Sequence, residues 1–188
     1  MSQAAEPDVD GTRERIVLTA AHIVSTEPFE ALTMRRIASD ANVSLSTVVR
    51  HFGTKDALLA ALVALGEAEG PNRRAATDPG DITAAVRAVV EDYESDGDSL
   101  LNVLAQEHRF PAVSRLLEIG RKGHLEWVRA AFAPQLRRYR GARLRRIEGL
   151  LVVATDVYTW KILRRDRQLS RSETSAAMTQ LASAVVES

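Results

Sequence analysis

The stretch MRRIASDANVSLSTVVRHF, residues 34–52, decides how this chain folds near its N-terminus. It contains two short segments with helical spacing, hinged at Asn42. Asparagine is one of the few non-glycine residues that adopts a left-handed backbone cheaply, as the end of a helix often requires. Thr33 and Ser44 are N-cap candidates for the two segments. The pattern therefore predicts two helices joined by a tight turn.

A corner of this kind is the geometry of a helix-turn-helix, in which the second helix lies in the DNA major groove. The N-terminal residues of that helix must then be small or polar, and Ser44, Ser46 and Thr47 meet this requirement. Arg35, Arg36 and Lys55 flank the corner with positive charge. Such corners also occur inside ordinary helical proteins, so the local pattern leaves a DNA-binding element and a structural corner both open.

The rest of the chain also has helical periodicity. No stretch shows the sustained period-two alternation that a half-buried strand requires, so the predicted class is all-α. Residues 66–80 hold three of the ten glycines and two of the six prolines, which predicts a border between a domain over 9–69 and a larger helical domain over 78–188. The predicted helices cover residues 12–26, 33–42, 44–51, 57–65, 81–96, 99–108, 111–132, 142–167 and 171–186, with Thr12 as the first N-cap.

Composition narrows the class of protein. The 188 residues carry a net charge of +0 and no cysteine, which excludes disulfides and thiolate chemistry and argues against a large charge-driven nucleic-acid footprint. The longest apolar run, residues 57–65, is too short to span a membrane, and the first eleven residues lack the features of a secretion signal. We therefore expect a cytoplasmic protein without a membrane segment.

Residues 32–62, LTMRRIASDANVSLSTVVRHFGTKDALLAAL, resemble the DNA-binding domain of the tetracycline-repressor-like (TetR) family of bacterial transcriptional regulators. The resemblance covers the first third of the chain closely and the remainder only in architecture. The residues that match the family pattern are Thr33, Ile37-Ala38, Val43-Ser44, Thr47, Phe52, Lys55 and Leu58-Leu59.

The resemblance implies that Thr33, Arg35, Thr47, His51 and Lys55 contact DNA. Two positions depart from the family pattern. Asn42 replaces the usual glycine, and Val49 replaces a tyrosine that contacts a phosphate, so one hydrogen bond to the DNA backbone is lost. Together with the residues singled out by position in the corner, the candidate DNA-binding residues are Thr33, Arg35, Arg36, Ser44, Ser46, Thr47, Val49, Arg50, His51 and Lys55.

Affinity for DNA is expected to depend on dimerisation. Residues 12–66 contain six basic and five acidic side chains, a net of only +1. A homodimer with two recognition helices about 34 Å apart would bind a palindromic operator. Two apolar helix faces near the C-terminus are candidates for the dimer interface, with an intramolecular core as the alternative. They are Ile147, Leu151, Ala154, Tyr158 and Ile162 on one helix, and Ala177, Leu181, Ala184 and Val185 on the last.

The resemblance also implies a ligand pocket in the larger domain and, most often, repression. An unknown small-molecule effector bound there would change the spacing of the recognition helices in a pendulum-like motion. The sequence does not identify this effector. The pocket candidates, each of which is also a candidate for plain packing, are Tyr93, His108, His124, Trp127, Asp156, Tyr158 and Trp160.

Other functions have less support in the sequence. The four histidines have no metal-ligand spacing, and no nucleophile, phosphate-binding or dinucleotide-binding motif occurs, so we expect neither an enzyme nor a metal or cofactor site. A helix-turn-helix protein that has lost DNA binding and acts through protein partners is the alternative to a regulator. Six arginines in residues 137–146 would attract an anionic ligand or DNA, or simply form a solvated face.

Overall fold

The computed structural model describes residues 9–69 and 77–188, and these form helices and turns without any strand, which confirms the all-α class. None of the helices in these two ranges is long and apolar enough to span a membrane. Two 3-10 turns, Phe29–Ala31 and Glu107–Arg109, and a π-helical turn, Ile162–Asp166, accompany the α-helices. The α-helices are α1 Val9–Thr26, α2 Met34–Asp40, α3 Leu45–Phe52, α4 Lys55–Glu69, α5 Ile82–Leu104, α6 Pro111–Ala131, α7 Ala133–Leu136, α8 Gly141–Ala154, α9 Val157–Lys161 and α10 Arg171–Glu187.

The chain forms two compact units. Of the described residues, the first unit comprises those up to Gly66 together with Asn102–Leu116, and the second comprises those within Glu67–Leu101 and Leu117–Ser188. The predicted border at residues 66–80 did not indicate that residues 102–116 belong to the first unit. Two side chains of this segment hydrogen-bond to the loop after α1. The side-chain amides of Asn102 and Gln106 donate to the Glu27 carbonyl at 3.2 and 3.3 Å.

The core of the first unit is built from apolar side chains spaced three or four residues apart on α1 to α4, as a buried helical stripe requires. The first helix begins at Val9, so Thr12 lies inside it and the prediction that Thr12 is its N-cap was wrong. Completely buried apolar residues of this unit include Ile16, Ala20, Leu32, Ile37, Val48 and Leu58.

The core of the second unit joins α5, α6 and α8 to α10. Its completely buried side chains include Val86, Val128, Phe132, Leu151, Trp160 and Met178. On α10 the buried line is Thr174, Met178, Ala182 and Val186, whereas Leu181 and Ala184 are exposed. The apolar face predicted for this helix, which includes Leu181 and Ala184, is therefore different from the face that α10 buries within the chain.

The predicted break at residues 97–98 was wrong, because α5 runs without interruption from Ile82 to Leu104. Gly97 lies inside this helix against Trp160, and an added Cβ would come within 2.6 Å of the indole atom Cζ3. The glycine lowers helix propensity by about 1 kcal/mol relative to alanine, but it allows this close approach. Tertiary packing thus overrides the local break signal.

The predicted single helix over 142–167 is divided at Thr155 and Asp156. Thr155 bonds back to the Leu151 carbonyl through its hydroxyl at 2.8 Å, and Asp156 becomes the N-cap of α9 by accepting from the Tyr158 amide at 2.8 Å. Two side chains of the predicted apolar face are consequently turned to solvent: Tyr158 is 50% exposed and Ile162 is 53% exposed. Ile147, Leu151 and Ala154 are buried in the chain, as the intramolecular alternative predicted.

Candidate nucleic-acid interface

The first helix of the corner, α2, is anchored at both ends. Thr33 is its N-cap and accepts a hydrogen bond from the Arg36 amide at 3.1 Å, which confirms the predicted cap. Ile37 and Ala38 are buried, so the opposite side of α2, with Arg35 and Arg36, faces solvent.

The turn after α2 has the geometry of a Schellman motif. The Val43 amide donates to the Ala38 carbonyl at 2.9 Å, and the Asn42 amide donates to the Ser39 carbonyl at 3.1 Å. Asn42 has φ 53°, which confirms the predicted left-handed residue. The Arg15 guanidinium on α1 also donates to the Ala41 carbonyl at 3.2 Å. The turn is therefore fixed both locally and from α1, a contact that no sequence pattern had indicated.

The second helix, α3, starts at the predicted N-cap. The Ser44 hydroxyl accepts from the Thr47 amide at 3.1 Å and lies 2.8 Å from the hydroxyls of both Ser46 and Thr47. Val48 and Phe52 are buried, and the Arg13 guanidinium of α1 lies 5.2 Å from the centre of the Phe52 ring. The helix ends at Gly53, whose φ of 67° suits a glycine.

The outward side of α3 is partly polar and partly apolar. Ser44, Ser46 and Arg50 are exposed, as the sequence predicted. Leu45 and Val49 are also exposed, by 41% and 45%. Leu45 was not among the candidate DNA-binding residues, although it lies four residues before Val49 and therefore on the same face of α3.

The basic side chains around the corner differ in what they already bind. Arg36 forms ion pairs with Asp40 at 2.6 Å and Glu27 at 3.0 Å, and its pKa is raised mainly by the hydrogen bond to Asp40. Arg35 and Arg50 form no ion pair with any described residue. These two arginines are therefore the more available cations for phosphate oxygens.

Lys55 and His51 are partly withdrawn from solvent. The Lys55 ammonium lies 4.4 Å from the centre of the Phe29 ring, and burial lowers its pKa. The Nε2 atom of His51 is buried without a hydrogen-bond partner among the described residues. The predicted contacts of both residues with DNA remain predictions that require their exposed atoms to reach the nucleic acid.

Four of the pocket candidates come together in the second unit, around Thr155. Tyr93 donates from its hydroxyl to the Thr155 carbonyl at 3.1 Å, and the His124 Nε2 atom lies 3.1 Å from the Thr155 hydroxyl. Trp127 stacks on His124 with ring centres 5.6 Å apart, and Trp160 lies 5.9 Å from Tyr93. We name these five residues the Thr155 cluster.

The other three pocket candidates lie elsewhere. Tyr158 is exposed, and Asp156 is occupied as the N-cap of α9. His108 is exposed in a 3-10 turn of the first unit. A residue that sequence reasoning missed is Glu94, which accepts hydrogen bonds from the Trp160 indole and the Arg164 guanidinium, both at 2.9 Å.

The arginines of residues 137–146 are largely solvated, and two of them pack on an aromatic ring. Arg138 and Arg143 each lie 5.2 Å from the centre of the Tyr139 ring, whose hydroxyl donates to the Val186 carbonyl at 3.0 Å. Arg143 also donates to the Ser188 carbonyl at 2.8 Å. Part of this charge therefore holds the C-terminus in place.

The N-terminal geometry agrees with known proteins. Residues 16–62 match the family model described as bacterial regulatory proteins, tetR family. No curated protein sequence matches the chain significantly. Among residues 9–69 and 77–188, no group of three or more histidine, aspartate or glutamate side chains is placed to hold a metal ion.

Several solved structures share the fold. A TetR-family transcriptional regulator from Streptomyces coelicolor superposes with a TM-score of 0.74 at 15% identity, covering 94% of this chain and 80% of that chain. A transcriptional regulator from Rhodococcus sp. Rha1 gives 0.64 at 20% identity, covering 93% and 96%. The multidrug binding protein EbrR, complexed with imidazole, gives 0.61 at 21% identity, covering 95% of each chain. Residues 16–62 therefore match the tetR family of bacterial regulatory proteins, and the chain shares the fold of these solved structures.

Proposed function

We propose that this protein is a ligand-responsive, DNA-binding transcriptional regulator of the cytoplasm, without enzymatic activity, that acts as a repressor. The observation that carries the proposal is the corner at residues 33–53. Its capped and buried inner side holds α3 firmly, and its outer side presents hydroxyls and an arginine to solvent. This is the arrangement that a helix entering the major groove requires.

Dimerisation would supply the affinity that the low charge does not. Leu150 and Val153 on α8 and Leu181 on α10 are exposed by 43%, 62% and 47%, on helices that pack against each other. We name these three residues the apolar dimer face. Burying large apolar side chains in a second copy yields about 1.5–3 kcal/mol each. A homodimer formed here would read a palindromic operator.

The Thr155 cluster is the proposed effector site. It combines two indoles, a phenol and an imidazole, which suits an aromatic or otherwise apolar effector with few polar groups. EbrR, a neighbour in fold, is a multidrug binding protein, which supports an effector site in this chain. Effector binding would act on DNA affinity only if it favoured one of two states of the dimer.

A second function has a specific observation in its favour. Exposed Leu45 and Val49, with a net charge of only +1 over residues 12–66, would also suit a helix that binds another protein rather than DNA. In that case the corner would have kept its fold and lost its affinity for nucleic acid.

Fluorescence anisotropy of labelled DNA from the region upstream of the coding sequence tests the proposal. The full chain is titrated into each fragment at several salt concentrations, with random DNA as competitor. We expect saturable binding to one palindromic fragment that is strengthened at low salt. Absence of preference for any fragment, with a protein that is folded by circular dichroism, would favour the protein-binding alternative.

A further inference from the structure

The outward side of α3 presents two apolar side chains next to each other. Leu45 and Val49 are four residues apart on an eight-residue helix, so they share one face. Among the described residues of the first unit, the large apolar side chains that are strongly exposed are Leu18, Leu45 and Val49. Two of these three therefore lie on the helix that would enter the groove.

The hydroxyl groups beside them are already engaged within the protein. The Ser44 hydroxyl caps α3, and it also lies within 2.8 Å of the hydroxyls of Ser46 and Thr47. Each contact uses a donor or acceptor that would otherwise be available to a base edge. Apolar contact is therefore a larger part of what this face offers than its serines and threonine suggest.

The major groove of unmodified DNA displays one apolar group on its base edges, the C5 methyl of thymine. We propose that Leu45 and Val49 form an apolar reading surface for thymine methyl groups, and that each operator half-site carries thymines opposite this surface. The inference rests on the proposed function and adds the chemical group that the recognition helix selects, which is the thymine methyl.

Helix geometry limits where these thymines lie. Four residues of α-helix rise about 6 Å, and successive base pairs are about 3.4 Å apart. The two methyl groups are therefore expected within about two base-pair steps of each other. Arg35 and Arg50, which form no ion pair with described residues, would contact phosphates beside them.

The test begins with selection of bound duplexes from a random pool by the full chain. Each thymine of the selected half-site is then replaced by deoxyuridine, which removes only the methyl group. Two replacements are expected to weaken binding about fourfold each, the effect of removing one buried methyl. Leu45→Ala should abolish the effect at one thymine and Val49→Ala at the other. Leu18→Ala, which changes a similarly exposed leucine on α1, should preserve both effects.

The outcomes separate this inference from the proposed function. Selective binding in which every deoxyuridine duplex binds as tightly as the thymine duplex overturns methyl reading and leaves the regulator in place. A methyl effect that persists in the Leu45→Ala, Val49→Ala double variant also overturns it, because another residue would then read the methyl. A folded chain that selects no duplex overturns both proposals.

Discussion

At the residue scale, Lys55 stands at the first position of α4 with its ammonium over the Phe29 ring. We expect Lys55→Ala to weaken binding to selected and random DNA alike and to lower the salt slope by about 1, because one phosphate contact is removed. Thr47→Ala should change sequence preference more than salt dependence. Anisotropy titrations at four or more salt concentrations measure both quantities.

The control for this prediction is Lys122→Ala, which removes an exposed lysine from α6 in the second unit. Its slope should equal that of the unchanged protein. An unchanged slope in Lys55→Ala would mean that the lysine serves packing on Phe29 and not phosphate binding.

Asp98 provides a prediction about acid stability. A hydrogen bond from the Arg165 guanidinium holds the pKa of the Asp98 carboxyl below its ordinary value of 3.8, against the opposing effect of burial. The stabilisation is therefore complete above the ordinary pKa and is lost as pH falls through the lower pKa of the folded state. Asp98→Asn should lower the free energy of unfolding at pH 7 by under about 1 kcal/mol. This difference should shrink as the pH falls below about 4.

Urea unfolding at a series of pH values measures this difference. Glu118→Gln, at an exposed carboxylate of α6 without an ion pair among the described residues, is the control. A difference for Asp98→Asn that stayed constant down to pH 2.5 would contradict the assigned role of the Arg165 contact.

Residues with local roles were the ones that the sequence predicted well. Thr33, Asn42, Ser44 and Gly53 act through bonds to residues within five positions, so side-chain chemistry and spacing are sufficient. The partners of Arg36 include Glu27, nine positions away, and periodicity carries no information about such a contact. For the same reason, the sequence did not predict that the His51 Nε2 atom is buried.

At the element scale, α5 continues through Gly97, and this glycine allows the Trp160 ring to pack closely against the helix. We expect Gly97→Ala to lower the free energy of unfolding by about 1–3 kcal/mol, because the new methyl group overlaps the Trp160 ring. Gly123→Ala is the matched control: this glycine lies inside α6 with no atom within 4 Å of an added Cβ. That variant should be stabilised by about 0.5–1 kcal/mol. Equal stabilisation of both variants in urea unfolding would refute the packing role of Gly97.

The bounds predicted for α6 and α10 were correct within one residue: α6 begins at Pro111, and α10 follows its N-cap Ser170. The two errors in the second unit have different causes, a side chain from a distant element in one case and local side-chain hydrogen bonds in the other. Trp160 accommodates the glycine of α5, and the Thr155 hydroxyl and Asp156 carboxylate end one helix and start the next. Propensity alone does not contain these contacts.

At the scale of the whole molecule, the apolar dimer face predicts self-association. Val153→Glu with Leu181→Glu should raise the dimer dissociation constant more than about a hundredfold, because an unpaired carboxylate would be buried at the contact. Both sites are exposed in the single chain, so its fold should persist. Sedimentation velocity over a concentration series measures the change.

Leu18→Glu, at an exposed site on α1, is the control and should leave the association unchanged. A double variant that sediments as the unchanged dimer would place the interface on another surface. Loss of operator affinity together with the dimer would connect the interface to DNA binding.

The positions of the two tryptophans make the protein its own optical reporter. Trp127 and Trp160 are the only indoles in the sequence, and both belong to the second unit, while the corner at 33–53 contains none. Tryptophan emission therefore originates in the second unit and not in the recognition helix. Quenching by a compound at the Thr155 cluster would be a direct effect, whereas an emission change on adding unlabelled operator would be a signal transmitted through the polypeptide. One unmodified sample can thus reveal whether the two activities communicate.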